Sequence, residues 1–364
     1  MPWHFMKKHN KIYIISNMYP SKTDPRFGVF VANKVEALRS RGIDVELLSV
    51  IKGMQKGIVV KLKSYFLFYF RILRIVWKRP DRLYVHYPIY ALLPLTLVYP
   101  FLKKSSLIFN FHGNDLLGNS KMIKVCEPLY FLLRKKVHRY VVPSQFFSTE
   151  LAKRYDIDPS LIHVYPSGGI DTTVFFRKSK QELNGKIRIG FVGRLDDKKG
   201  WKVFMNALQQ LSIEVIERVE VLFIINYFGK EEAFEAFLKK LNPHLNFTIK
   251  TECSQKELAG YYNILDYFIF PTLYQESLGL VGVEAMACGV PVIGSRIGAL
   301  PEYIVPGKSG ALFEPGNSKE LCEIISDLVN NPKNTSDLRK ESIKIASKYE
   351  RNLQINNLIE SVII

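Results

Sequence analysis

Residues Phe270–Gly294 read FPTLYQESLGLVGVEAMACGVPVIG. An apolar strand ends at Phe270, a polar loop follows, Val281–Cys288 has the small and apolar residues of a buried helix, and Pro291–Gly294 begins another strand. Two carboxylates, Glu276 and Glu284, stand with seven residues between them, the first in the loop and the second in the first turns of the helix. Between them, Ser277-Leu278-Gly279 offers backbone N–H groups at a helix N-terminus, which carries roughly half a positive charge and suits a diphosphate. A carboxylate on each side of such a cradle makes chemical sense as an acceptor for hydroxyls, one on a sugar and one on a ribose.

The same βα rhythm extends in both directions. Upstream, Ile12–Ser16, Asp44–Val50, Arg82–His86, Leu107–Phe111 and His138–Val142 read as apolar strands with helical stretches between them. The rhythm pauses over Pro166–Gly185, then restarts with strands at Ile187–Val192, Val219–Ile225 and Tyr267–Phe270 and helices from about Lys199, at Lys230–Leu241 and at Ser318–Asn330. Continuous apolar strands alternating with helices imply parallel sheets covered on both faces. Two doubly wound α/β domains, joined near residue 172, are expected. Ligands of such domains lie outside the carboxyl ends of the strands.

Composition excludes other classes. At 47% hydrophobic and 23% charged over 364 residues, the chain is not disordered. Cys126, Cys253, Cys288 and Cys322 form no C-x-x-C pair, so neither a disulfide scaffold nor a zinc site is expected, and a reducing cytosol fits. No apolar core follows the basic residues of Met1–Asn10, so no signal peptide is expected. The greasiest stretch, Pro88–Leu102, is broken by Pro94 and Pro100 and falls short of a membrane span. Net charge is +16 over residues 1–172 and +1 over the remainder. The first half therefore faces something anionic.

The carboxylate pair resembles the E-x7-E signature of glycosyltransferase family 4, retaining enzymes of the GT-B fold, and the resemblance covers nearly the whole chain. Gly193-Arg194-Leu195 with Lys199-Gly200 resembles the family's G-R-L…K-G element, and Pro166-Ser167-Gly168-Gly169-Ile170-Asp171 its junction turn, with Ser167 where Asn is usual. Phe111-His112-Gly113-Asn114-Asp115 resembles its H-G-x-D loop. Pro25–Gly28 occupies the place of its N-terminal glycine loop, with Arg26-Phe27-Gly28 instead of paired glycines. The resemblance implies two Rossmann-like domains facing across a cleft: an acceptor domain over 1–172 and a nucleotide-sugar domain over 173–350, with a helix at about 350–364 packing back on the first. It also implies that Arg194 and Lys199 neutralise the donor's β-phosphate, that His112 and Glu276 attend the sugar, and that Gly28, Gly193, Ser277, Leu278, Gly279 and Glu284 line the donor site. Asp115 is read as ordering the His112 loop.

Asp156-Ile157-Asp158 matches the D-x-D pattern of metal-dependent transferases, but it lies in a helix-to-strand turn. Arg194 and Lys199 already supply the charge of a divalent ion. No metal and no cofactor are therefore expected beyond the nucleotide-sugar co-substrate. Lys61–Arg79 interleaves six basic residues with Tyr65, Phe66, Phe68, Tyr69, Phe70 and Trp77, a composition suited to an anionic bilayer surface or, alternatively, to a core helix with basic ends. The expected function is transfer of a sugar to a lipid-linked saccharide in bacterial surface polysaccharide assembly, at the cytoplasmic face of the membrane. A GT-B epimerase or phosphorylase is the alternative among enzymes. A nucleic-acid-binding protein would also explain the basic half, but no recognition signature accompanies it and Glu276 and Glu284 would have no role.

Overall fold

The computed structural model describes residues 11–78, 80–104, 106–118, 121–178, 186–225, 231–331 and 335–363. The chain divides into two compact units, one formed by Met1–Gly168 with Asn352–Ile364 and the other by Gly169–Arg351. Each is a doubly wound α/β unit on a six-stranded parallel sheet.

In the first unit the strands are β1 (Ile12–Tyr19), β2 (Val45–Lys52), β3 (Arg82–His86), β4 (Leu107–Asn110), β5 (Val137–Val142) and β6 (Ile162–Val164), in the order β2-β1-β3-β4-β5-β6. Alternate residues bury on opposite faces: Leu83, Val85, Leu107 and Phe109 enter one core, and Tyr84 and Ile108 the other. Both faces being buried, the central strands are mostly apolar on both faces, as Leu83–Val85 and Leu107–Phe109 show, rather than alternating. Ile355, Leu358, Ile359, Val362 and Ile363 complete the second of these cores, so the C-terminal segment belongs to this unit. The order reverses at β1, which puts the crevice between the carboxyl ends of β1 and β3.

The second unit contains β7 (Ile187–Gly193), β8 (Val219–Ile225), β9 (Asn246–Thr251), β10 (Tyr267–Phe270), β11 (Val292–Ser295) and β12 (Gly310–Phe313), in the order β12-β11-β10-β7-β8-β9. Its order reverses between β7 and β10. β9 and β12 were not apparent from sequence: Asn246–Thr251 is an edge strand with no fully buried residue, and Gly310–Phe313 is only four residues long.

The junction turn is tight. Ser167, Gly168 and Gly169 all have positive φ, at 51°, 94° and 70°. A side chain on Gly169 would meet Tyr349 O at 2.5 Å, so that position requires glycine. Ser167 takes a left-handed conformation that Asn, the residue usual in the resemblance, adopts more readily.

The basic aromatic stretch is a helix, Ile58–Leu73, followed by a single turn, Ile75–Lys78; Arg79 lies outside the described residues. Only Phe68, Ile72 and Ile75 bury in the core. Phe66 and Phe70 point to solvent, 69% and 54% exposed, as does Trp77 at 78%. The core-helix alternative is thus limited to one face. Among the described residues no helix is long and apolar enough to cross a membrane.

Candidate active site

The loop after β7 is built around Asp196, whose carboxylate accepts from Lys198 N at 3.0 Å and so caps the short turn Asp197–Lys199. Gly200 follows with φ 70°, and a Cβ there would lie 1.6 Å from Pro271 O. Glycine at 200 therefore lets the β7 loop press against the segment leaving β10, and this contact is why glycine is needed at that place. Leu273 N donates to Lys198 O at 2.8 Å, closing the two loops together.

That closure brings Lys199 to Glu276. Lys199 Nζ donates to Glu276 Oε1 at 2.6 Å, and Thr272 Oγ1 donates to the same oxygen at 3.1 Å. The Lys199 and Glu276 side chains are 28% and 11% exposed. Sequence assigned the two residues to phosphate and sugar separately; the structure makes them a pair. Thr272, fully buried beside them, was not identified from sequence, its only signal being a polar residue two positions beyond an apolar strand. Gly298 backs the pair, since a Cβ there would press within 2.8 Å of the Glu276 backbone. Arg194 follows Gly193 at the carboxyl end of β7. Its side chain is 67% exposed and 3.6 Å from Asp196.

The helix Leu280–Ala287 begins at Gly279, whose φ of 81° fits glycine, with Tyr303 Oη donating to Gly279 O at 3.2 Å. A Cβ at Gly279 would meet the Phe270 ring at 2.7 Å. Among the described residues the amides of Ser277, Leu278 and Gly279 donate no backbone hydrogen bond, so they are available to an anion. The Leu278 side chain is buried and anchors the turn. Glu284 lies in the second turn of the helix, where burial lifts its carboxyl to about 7 against the opposing pull of Arg351.

The other predicted residues lie in the first unit, at the β1/β3 crevice. A Cβ on Gly28 (φ 69°) would meet Met18 C at 2.6 Å, so the glycine loop folds back on the end of β1. Phe30, two residues on, packs its ring 4.8 Å from that of His112, and Tyr87 stacks on His112 at 4.7 Å and 24°. Tyr87 itself has φ 50°, a strained conformation for a bulky residue. Asp115 orders the His112 loop as expected: its carboxylate accepts from His112 N at 2.9 Å and Gly113 N at 2.8 Å, and burial pushes it up to about 6 despite these bonds. His112 Nε2 is 2.9 Å from His86 Nδ1. His86 ends β3, a position visible in the sequence whose significance appears only with the contact.

Asp156 caps the C-terminus of the helix Gln145–Tyr155, and Asp158 accepts from Ser160 N at 2.9 Å. Among the described residues no three His, Cys, Asp or Glu side chains cluster as metal ligands would.

Comparison with known proteins identifies the two units. Residues 27–174 match the family model described as Glycosyltransferase Family 4, and residues 174–346 the one described as Glycosyl transferases group 1. Among curated relatives, D-inositol 3-phosphate glycosyltransferase 1 of Catenulispora acidiphila is 27% identical over 225 residues, covering 58% of this chain and 53% of the relative. The chain spans about half the length of the curated relatives it matches. Among solved structures, the lipopolysaccharide outer core galactosyltransferase WaaB superposes with a TM-score of 0.74 at 15% identity, over 97% of this chain and 99% of that one. HepE of Anabaena, in complex with UDP and glucose, gives 0.67 at 18% over 97% and 98%. These likenesses show a common two-unit α/β fold.

Proposed function

The chain belongs to glycosyltransferase family 4, and on that premise we propose that it moves a sugar, with retention of configuration, from a UDP- or GDP-linked donor to a lipid-linked saccharide of bacterial surface polysaccharide assembly. The observation that carries the reading is the Lys199–Glu276 pair beside the amides of Ser277–Gly279, which donate no backbone hydrogen bond among the described residues, all at the β7/β10 reversal of strand order. A diphosphate on those amides puts its growing negative charge beside Lys199 and Arg194. Fixed cations there stabilise the transition state more than the ground state. Glu276 accepts a sugar hydroxyl and Glu284 a ribose hydroxyl. The bond from the anomeric carbon to the phosphate oxygen breaks, the acceptor oxygen attacks from the same face, and its proton passes to the departing phosphate.

Two further parts of the reading concern partners. Residues 58–78 contain five basic residues and no acidic one, and Val59, Leu62, Phe66, Phe70 and Trp77 are exposed among them. Such a face suits the headgroup region of an anionic bilayer, where a lipid-linked acceptor resides. WaaB, named for the lipopolysaccharide outer core, makes a polysaccharide acceptor the natural first choice. No metal is needed, because Asp158 is engaged within its own turn and the loop cations supply the charge.

A panel of nucleotide sugars tests this. The expected result is thermal protection and slow donor hydrolysis with one donor, unaffected by excess chelator. Protection by no donor, or dependence on added Mg²⁺ or Mn²⁺, would contradict it.

A further inference from the structure

His86 is buried to 1% exposure at the end of β3, and its Nδ1 lies 2.9 Å from His112 Nε2. Its other ring nitrogen, Nε2, is buried and has no hydrogen-bond partner among the described residues. The two rings stack at 5.1 Å and 18°. Tyr87 and Phe30 pack against His112 as well, so its ring has little freedom to turn.

One proton must sit between Nδ1 and Nε2, and its owner determines the chemistry of His112. If His112 donated, the proton of neutral His86 would be on Nε2, giving a buried N–H with no acceptor. If His86 donates, its Nε2 is a bare lone pair. Orphaned buried donors are the rarer and costlier case. A doubly protonated His86 is disfavoured by Lys34, which is itself buried and hydrogen-bonds to Tyr84 Oη at 3.0 Å and to Asn110 Oδ1. Burial and Lys34 both hold the two imidazoles well below the usual histidine range.

We propose that His86 is a positioning residue that donates its Nδ1–H to His112 Nε2 and thereby fixes His112 as the neutral tautomer with its proton on Nδ1. His112 then presents a single hydrogen-bond donor to an oxygen of the substrate and cannot act through Nε2. The ring nitrogen bonded to a neighbour decides which nitrogen is left for function. This assignment was out of reach of the sequence, where His86 is only the last residue of an apolar strand. Its kinetic consequence rests on the transferase reading above; the tautomer itself does not.

The test uses the full chain labelled with ¹⁵N-histidine. Two-bond ¹H–¹⁵N spectra report which ring nitrogen carries the proton, and His112→Gln identifies the His112 signals. Wild type is expected to show His112 protonated at Nδ1 and bare at Nε2, without titration between about pH 6 and 8. His86→Phe removes the donor and should release His112 to a mixed or Nε2-protonated state, lowering kcat about tenfold with little change in KM. His86→Asn can place an amide N–H where Nδ1 was and should restore the tautomer and most of the rate. A proton on His112 Nε2 in wild type overturns the proposal, and that spectrum needs no variant to fold. An unchanged His112 pattern in folded His86→Phe overturns it too. Failure of wild type to transfer any sugar would count against the function reading, with the spectra still deciding the tautomer.

Discussion

Lys199 and Glu276 should behave as one unit, and a double-mutant cycle measures whether they do. The pair is short, at 2.6 Å, and only 28% and 11% exposed, so water screens it incompletely. On the proposed reading, Lys199→Ala removes a phosphate contact on the scale of one transition-state donor, about 10²-fold in kcat. It also leaves the Glu276 carboxylate with Thr272 as its one remaining hydrogen-bond partner among the described residues. Removing one partner from a fully buried ion pair costs about 3–5 kcal/mol, and partial exposure of Lys199 brings the expected disturbance to about 1–3 kcal/mol. Glu276→Gln keeps an oxygen for Thr272 but removes the charge that positions Lys199. Its loss should be tenfold or more, because Lys199 is then free to leave the phosphate site. If both single losses contain the same broken pair, the double variant should fall by about 10²-fold rather than the product of the two, a coupling of roughly 1–2 kcal/mol. Initial rates with a saturating donor, with melting temperatures to show that all four proteins fold, provide the cycle. Losses that multiply, leaving coupling below about 0.5 kcal/mol, would show that the contact has no part in turnover.

Glu284, lifted to about 7 by burial, is neutral in part near neutrality. A carboxyl raised in the folded state favours folding fully below its unfolded value and loses that contribution as pH rises through about 7. Glu284→Gln should therefore gain in melting temperature relative to wild type between pH 5 and 8, while nucleoside diphosphate binding, measured by calorimetry, weakens and loses its rise with pH. Asp115→Ala leaves the amides of His112 and Gly113 without their acceptor and should cost about 1–3 kcal/mol in denaturant unfolding; a change under 0.5 kcal/mol would mean the loop is ordered by other contacts. On the basic helix, Phe66, Phe70 and Trp77 are already exposed, so replacing all three by Ser should leave stability unchanged. If about half of each side chain inserts, sedimentation with anionic vesicles should fall by about 10²-fold; unaltered binding would place the docking face elsewhere.

The strands were legible because a parallel sheet buried on both faces writes itself as predominantly apolar runs such as Leu107–Phe111 and Val219–Ile225, each interrupted by one polar residue, Asn110 and Glu220. The weak edge strand Asn246–Thr251 carries no such run and stayed hidden. The candidate site was legible where a motif sits within one short stretch, as with Glu276 and Glu284, or where a close approach or a positive φ calls for glycine, as at Gly200 and Gly279. It was not legible where residues meet through the fold: Lys199 with Glu276 across 77 residues of chain, or His86 with His112. Nor could sequence say which face of the aromatic helix turns outward. Phe68 and Phe70 are two residues apart in one chemical class, yet Phe68 enters the core with Leu48, Ile51 and Ile72 while Phe70 faces solvent, a difference that only the packing decides.

The central claim is retaining sugar transfer at the Lys199–Glu276 site, and the most direct measurement is the anomeric configuration of the product. An α-linked nucleoside diphosphate hexose is turned over by the full chain on anionic vesicles carrying a polyprenyl diphosphate saccharide, and the new linkage is read by NMR, with Lys199→Ala alongside. An α linkage, lost in Lys199→Ala, is the predicted result. A β linkage, or transfer that persists undiminished without Lys199, would contradict it.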